Sequence, residues 1–176
     1  MLWRSMLVIL IACGCDGSDG DIMRFVGLYA TTSHTLAQPQ GGTVSCTDPG
    51  TPVASAAPFL QLAIDNSYID PFFLRLSECP DATATMCVKT SVVLEAGGPG
   101  LLAENASSQT GSDVMCQLYF THSEAALNGA AISISVLAKF DAPNISFSDC
   151  TSQRARALAI SPECVGVERW TGTRRP

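Results

Sequence analysis

The chain has 176 residues, 47% hydrophobic, 15% charged and 7% aromatic, which is enough apolar material for one domain with its own core. Its 16 acidic and 10 basic residues leave a net charge of -6 with no basic stripe, which argues against nucleic acid as a partner. So much apolar surface beside so little charge also excludes a disordered chain.

The chain opens MLWRSMLVILIACGCDG. One basic residue, Arg4, precedes an apolar run from Met6 to Ala12 that closes on small residues, the layout of an export signal. The run is far short of the ~20 residues that span a bilayer as a helix. A buried N-terminal strand is the rival reading. Leu10-Ile11-Ala12-Cys13 and Ala12-Cys13-Gly14-Cys15 each resemble the lipobox of bacterial lipoproteins. That resemblance implies cleavage, acylation of the cysteine and lipid anchoring in the cell envelope, facing periplasm or exterior. Acylation at Cys15 leaves six cysteines, Cys46, Cys79, Cys87, Cys116, Cys150 and Cys164, all able to pair; acylation at Cys13 leaves Cys15 as an odd thiol. Parity favours Cys15. Residues 1-15 are therefore read as signal and anchor, the apolar-free DGSDGD of 16-21 as a flexible tether, and 22-176 as the folded domain.

Alternation at the period of a half-buried strand recurs through the domain. Leu60, Leu62 and Ile64 share a phase, as do Phe72, Leu74 and Leu76, and then Met86, Val88, Val92 and Leu94. The pattern is clearest in Val114, Cys116, Leu118 and Phe120, and in Ile132, Ile134, Val136, Ala138 and Phe140. Turn chemistry separates these runs at Gln40-Gly41-Gly42, Asp48-Pro49-Gly50, Gly97-Gly98-Pro99-Gly100 and Asn128-Gly129. A three-residue loop 127-129 would keep the last two runs on one face, pairing Phe120 with Val136 and Leu118 with Ala138. Asp149 can cap a short helix through Ala159, before a final strand from Val165 to Thr171. The expected fold is mainly β, an antiparallel barrel or sandwich with one short C-terminal helix before the last strand. Residues 16-149 carry fourteen acidic and four basic side chains, whereas 150-176 carry five arginines and two glutamates. The tail RWTGTRRP then lies against the acidic body or, more simply, forms a solvated strand that frays.

Six cysteines allow fifteen connectivities. The expected set is Cys150 with Cys164, bracketing the helix, Cys79 with Cys87 across a short loop, and Cys46 with Cys116. Catalytic signals are sparse. A zinc site would need both His34 and His122 with Glu124 or Asp149, and no ligand spacing supports it. No G-x-S-x-G elbow marks a nucleophile. Neither a metal, a cofactor nor an enzymatic activity is expected.

Phe25-Val26-Gly27-Leu28-Tyr29 resembles the G-x-W opening of lipocalins and related calycin barrels, with Tyr29 in place of tryptophan, and a late helix, one more strand and an arginine are similar too. The resemblance implies a barrel around a small apolar ligand, with Arg169 or Arg174 near Tyr29. Gly-x-Tyr-x-x-Thr-Ser-His-Thr with a following cysteine also resembles a family of uncharacterised bacterial lipoproteins, which implies no activity. The sequence thus suggests a membrane-anchored, disulfide-stabilised binding or structural module, whose partner is an envelope protein or a small ligand. Its rival is a calycin-like carrier.

Overall fold

A computed structural model describes residues 22-67, 73-97, 100-110, 116-141 and 149-176. The sheet elements are β1 (Gly27–Ala37), β2 (Val44–Ser45), β3 (Thr51–Pro52), β4 (Phe59–Ile64), β5 (Leu74–Cys79), β6 (Val88–Gly97), β7 (Gly100–Thr110), β8 (Cys116–Asn128), β9 (Ala131–Asp141), β10 (Glu163–Cys164) and β11 (Gly166–Arg174). Eight of them, β1 and β4 to β9 with β11, run up and down in sequence order, and β11 pairs with β1 to close an antiparallel barrel. Closure gives each of the eight a partner on both sides. The tail predicted to fray is the strand that closes the barrel.

One end of the barrel is plugged. A 3₁₀ turn, η1 (Met23–Phe25), precedes β1 and buries Ile22 and Phe25 against Tyr29 and the leucines of β4, β5 and β6. Tyr29 donates to the Phe25 carbonyl at 2.8 Å, and Arg174 donates to the Tyr29 hydroxyl at 2.7 Å with its guanidinium carbon 5.3 Å from the ring centre. Of the two arginines expected near Tyr29, Arg174 is the one that arrives. Arg169 points outward instead and donates to the Cys46 and Asp48 carbonyls. Just beside the plug, Asp65 is buried, and Arg75 grips it at 2.6 and 2.7 Å while also reaching the Thr90 carbonyl.

The β8–β9 hairpin corrects the predicted register. Asn128 pairs with Ala131 across a two-residue loop, Gly129-Ala130, so Phe120 meets Lys139 and Leu118 meets Asp141. Gly129 has φ +60°, as the first position of a two-residue II′ hairpin loop requires. An even loop pairs even positions with odd ones, and β8 accepts this because it is apolar on both faces at different heights. Ser123, Ala125 and Leu127 point into the barrel opposite Val136, Ile134 and Ile132. Cys116 and Leu118 point outward and are covered by Ala155 of a short helix, α1 (Ser152–Arg156), and by Leu158 just after it. Phe120 lies on that outer face too, under the Lys139 ammonium 5.9 Å from its ring. The alternation was real, but the two runs do not share one face.

Thr151, not Asp149, caps α1, accepting from the Arg154 amide at 3.2 Å. The helix passes into a 3₁₀ turn, η2 (Ala157–Ile160), held down by Lys139, which donates to the Ala159 and Ser161 carbonyls at 2.6 and 2.7 Å. Burial pushes the Lys139 ammonium below its ordinary pKa. On β6, Val92 and Leu94 are buried as expected, but Val88 at its start and Met86 just before it are exposed because they lie at the rim, beyond an irregularity in the β5–β6 register.

All six cysteines of the domain are paired, as Cys46–Cys164, Cys79–Cys87 and Cys116–Cys150. The predicted Cys150–Cys164 and Cys46–Cys116 bonds are absent. Five α-helical and four 3₁₀ residues put the two ends of the helical segment roughly 15 Å apart, and a disulfide joins Cα atoms no more than about 7 Å apart. Each end is instead fastened sideways, to the start of β8 and to the excursion after β1. The bonds point to an oxidising compartment outside the cytosol. Cys13, Cys15, the tether, Phe72 and Val114 lie outside the described residues.

Candidate binding site at the barrel mouth

Opposite the plug, the barrel is closed by polar side chains. β1 shifts register between Thr31 and Ser33, which carries His34 to the inner face, opposite Trp170. The two rings stack with centroids 4.8 Å apart. His34 is 9% exposed, and its Nε2 lies 2.8 Å from Glu168 Oε1. Trp170 Nε1 donates to Glu78 Oε1 at 3.0 Å, and that same oxygen is 3.5 Å from His34 Nδ1. Nδ1 is buried and has no hydrogen-bond partner. The histidine thus connects β1, β5 and β11 on the inside of the barrel. Glu78 and Glu168 are about one-third exposed, so their carboxylates open to solvent at the rim.

This is not the geometry of a metal centre. The two carboxylates face opposite nitrogens of one ring, so no point lies within ~2.1 Å of all three donors. His122 repeats the pattern on the outer surface, with Glu104 at 3.2 Å from Nδ1 and Glu124 at 3.7 Å from Nε2. Because His34 is inside the barrel and His122 outside, the zinc set weighed from the sequence is not assembled. No group of three or more His, Cys, Asp or Glu among the described residues is arranged to hold a metal ion.

Between plug and mouth, one wall of the interior is fully buried. Tyr29, Leu74, Leu76 and Leu94 are 0% exposed, and Leu60 and Leu62 are 1%. A side chain lining a cavity large enough for water would carry accessible surface of its own, so these residues of β1, β4, β5 and β6 pack against one another, whereas Ala103, Leu127 and Val136 on the facing wall are only partly buried. A groove of about 1000 Å³ opens to solvent on the outer wall, lined by Ser33, Thr35, Ser133, Ser135 and Thr171 together with Leu102, Ala126 and Leu137, and bounded by the Cys46 loop. Its lining is mainly apolar, with a row of hydroxyls among the aliphatic side chains.

Sequence reasoning found His34 but not its partners. The signal was present in the phase of the strands: Glu78 follows Leu74 and Leu76 at even positions of β5, and Glu168 shares its phase with Trp170 in β11. A carboxylate at an inward position marks a polar partner inside.

Fold and site together define a closed, disulfide-braced up-and-down β-barrel with an apolar core and a polar mouth. No protein-family model, curated protein or solved structure matches the chain significantly.

Proposed function

We propose that this is an exported bacterial lipoprotein, held in the cell envelope by an acylated Cys15, whose barrel is a non-catalytic binding or structural module. The observation that carries the reading is the fully buried wall of β1, β4, β5 and β6, which makes the outer surfaces and the rim the more accessible places to meet a partner. The pairing of all six domain cysteines supports Cys15 over Cys13, because retaining Cys15 unmodified would leave an odd thiol. Among the described residues, no helix is long and apolar enough to cross a membrane.

The second reading is a calycin-like carrier of a small apolar ligand. The stack of η1, Tyr29 and Arg174 at the closed end favours it. Native mass spectrometry of the exported protein separates the two. A lipid-modified mass without bound small molecule is expected, and a co-purified apolar ligand would overturn the first reading in favour of the second. Cys15→Ala is expected to release the protein into the aqueous phase on detergent partitioning, while Cys13→Ala remains anchored; the reverse result would move the anchor to Cys13.

A further inference from the structure

We propose that the barrel wall carries a docking slot between β6 and β7 that takes up a single extended polypeptide segment as an added strand. The proposal rests on the reading of the barrel as a binding module, but not on the lipid anchor.

The slot follows from strand pairing. β7 and β8 pair from Leu101 to Thr110 without a register shift, whereas β6 and β7 meet only at Glu95 with Leu102, Ala96 with Leu101 and Gly97 with Gly100. Past that hairpin the two strands diverge. Val88 to Leu94 is bonded to β5 on one side and Ala103 to Thr110 to β8 on one side, and no other backbone hydrogen bond among the described residues reaches either stretch. Alternate residues of a strand aim both N–H and C=O at the same side, so about half of the residues from Ala103 to Thr110 present main-chain donors and acceptors to the slot.

Side chains agree with the divergence. Val88 lies opposite Glu78 and so shares the inward phase of β5, yet it is 70% exposed, and Met86 just before it is 74% exposed. A β7 that stayed in register would cover Val88. Across the slot, Ala103 faces inward opposite Ser123 and is only partly buried. Strand edges are normally blunted by lysine, proline or a bulge. β6 has Lys89 and the register shift opposite Arg75, but β7 from Ala103 to Thr110 has neither lysine nor proline, and its ladder with β8 is regular. That edge is a template for another strand.

A single extended segment fits the opening better than a second barrel. An inserted strand has two edges and can bond β7 with one and β6 with the other, whereas the β7 of another copy has one edge already taken by its own β8. Antiparallel pairing to β7 is the stronger geometry, and it sets the segment parallel to β6. Inward-turned side chains of the segment then meet Val88 and Ala103, which calls for an apolar face. An outward-turned acidic residue at the mouth end meets Lys89, the only charged side chain from Val88 to Leu94.

The test uses the mature protein and a probe of that chemistry, the peptide acetyl-Thr-Val-Thr-Val-Glu-Val-Thr-Val-amide, with hydrogen exchange read residue by residue. Without the probe, alternate amides from Ala103 to Thr110 are expected to exchange about tenfold faster than their neighbours bonded to β8, and the probe is expected to slow them about tenfold. Uniform protection along β7 without the probe, with the protein sedimenting as a monomer or as a dimer, overturns the slot, the dimer assigning the edge to a second copy. No slowing by the probe also overturns it. Methylating alternate backbone nitrogens of the probe is expected to weaken binding about tenfold, and equal affinity overturns main-chain pairing. Val88→Ser, at a side chain already exposed, is expected to weaken binding about threefold, and no change overturns the placement beside β6. A protein that carries lipid mass but shows no probe binding refutes the slot alone, whereas probe binding by a protein without lipid mass refutes the anchor and leaves the slot.

Discussion

The same strands are sealed at one end by an apolar plug and at the other by a polar network, and the two ends are held by different forces. At the closed end, a tight hairpin turn and the Phe25–Tyr29–Arg174 stack leave Phe25 and Tyr29 fully buried. At the mouth end the connections are long, and the three disulfides there tie down the excursion after β1, the Cys79 hairpin and the helical segment. His34, Glu78, Glu168 and Trp170 then link three strands by hydrogen bonds that remain partly open to solvent. The contrast teaches that packing fixes one end of this small barrel, while covalent loops and polar contacts fix the other.

Reduction should therefore damage the mouth before the plug. Chain-entropy arguments give about 5 kcal/mol for the Cys46–Cys164 bond, about 4 for Cys116–Cys150 and about 2.5 for Cys79–Cys87, because the closed loops shorten in that order. Paired alanine substitutions followed by urea unfolding should reproduce this ranking; equal losses would show that native strain, not loop entropy, dominates.

At the closed end, Tyr29→Ala should cost about 3 to 5 kcal/mol, through the lost core side chain and the unpaired Arg174. Tyr29→Phe, which keeps the ring, should cost only about 1 kcal/mol. If the two variants are equal in thermal unfolding, packing is not what holds that end.

The mouth network should be worth less. His34→Leu is expected to cost about 1 to 2 kcal/mol, since Glu78 and Glu168 are partly exposed and can turn to water. Trp170 is the only tryptophan of residues 22-176, so its emission should shift as the stacked imidazole is lost. A loss as large as that of Tyr29→Ala would remove the distinction between the ends.

Acid gives the finest probe. Hydrogen bonds from Ser67, and then the Arg75 guanidinium, hold the Asp65 carboxyl at about 2 rather than 3.8, against burial, which raises it. A carboxyl whose folded value is depressed contributes fully above its unfolded value and loses that contribution as the pH falls toward the folded one. Stability should drop as the pH falls from about 4 to 2, and Asp65→Asn should flatten the drop, as followed by circular dichroism. An unchanged acid profile would show that Asp65 does not couple this end to pH.

Local pattern alone determined much of this protein. Period-two alternation identified β4, β5, β6, β8 and β9 but not β7, a stretch of capping and turn residues located the short helix before the last strand, and cysteine parity anticipated a fully paired domain. The nine-residue Cys79–Cys87 segment was legible as a disulfide because a short loop already keeps its ends close. What tertiary structure decided was which side of each strand faces what. Alternation reports that one face is covered but not whether barrel or helix covers it, so Leu118 and Ile132 looked alike in the sequence while one lies under α1 and the other in the core. The long-range disulfides and the His34 site depended on the same missing information. A register shift at Thr32 and a helical segment roughly 15 Å long set those contacts, and such contacts join residues 34 to 134 positions apart only after the barrel has closed.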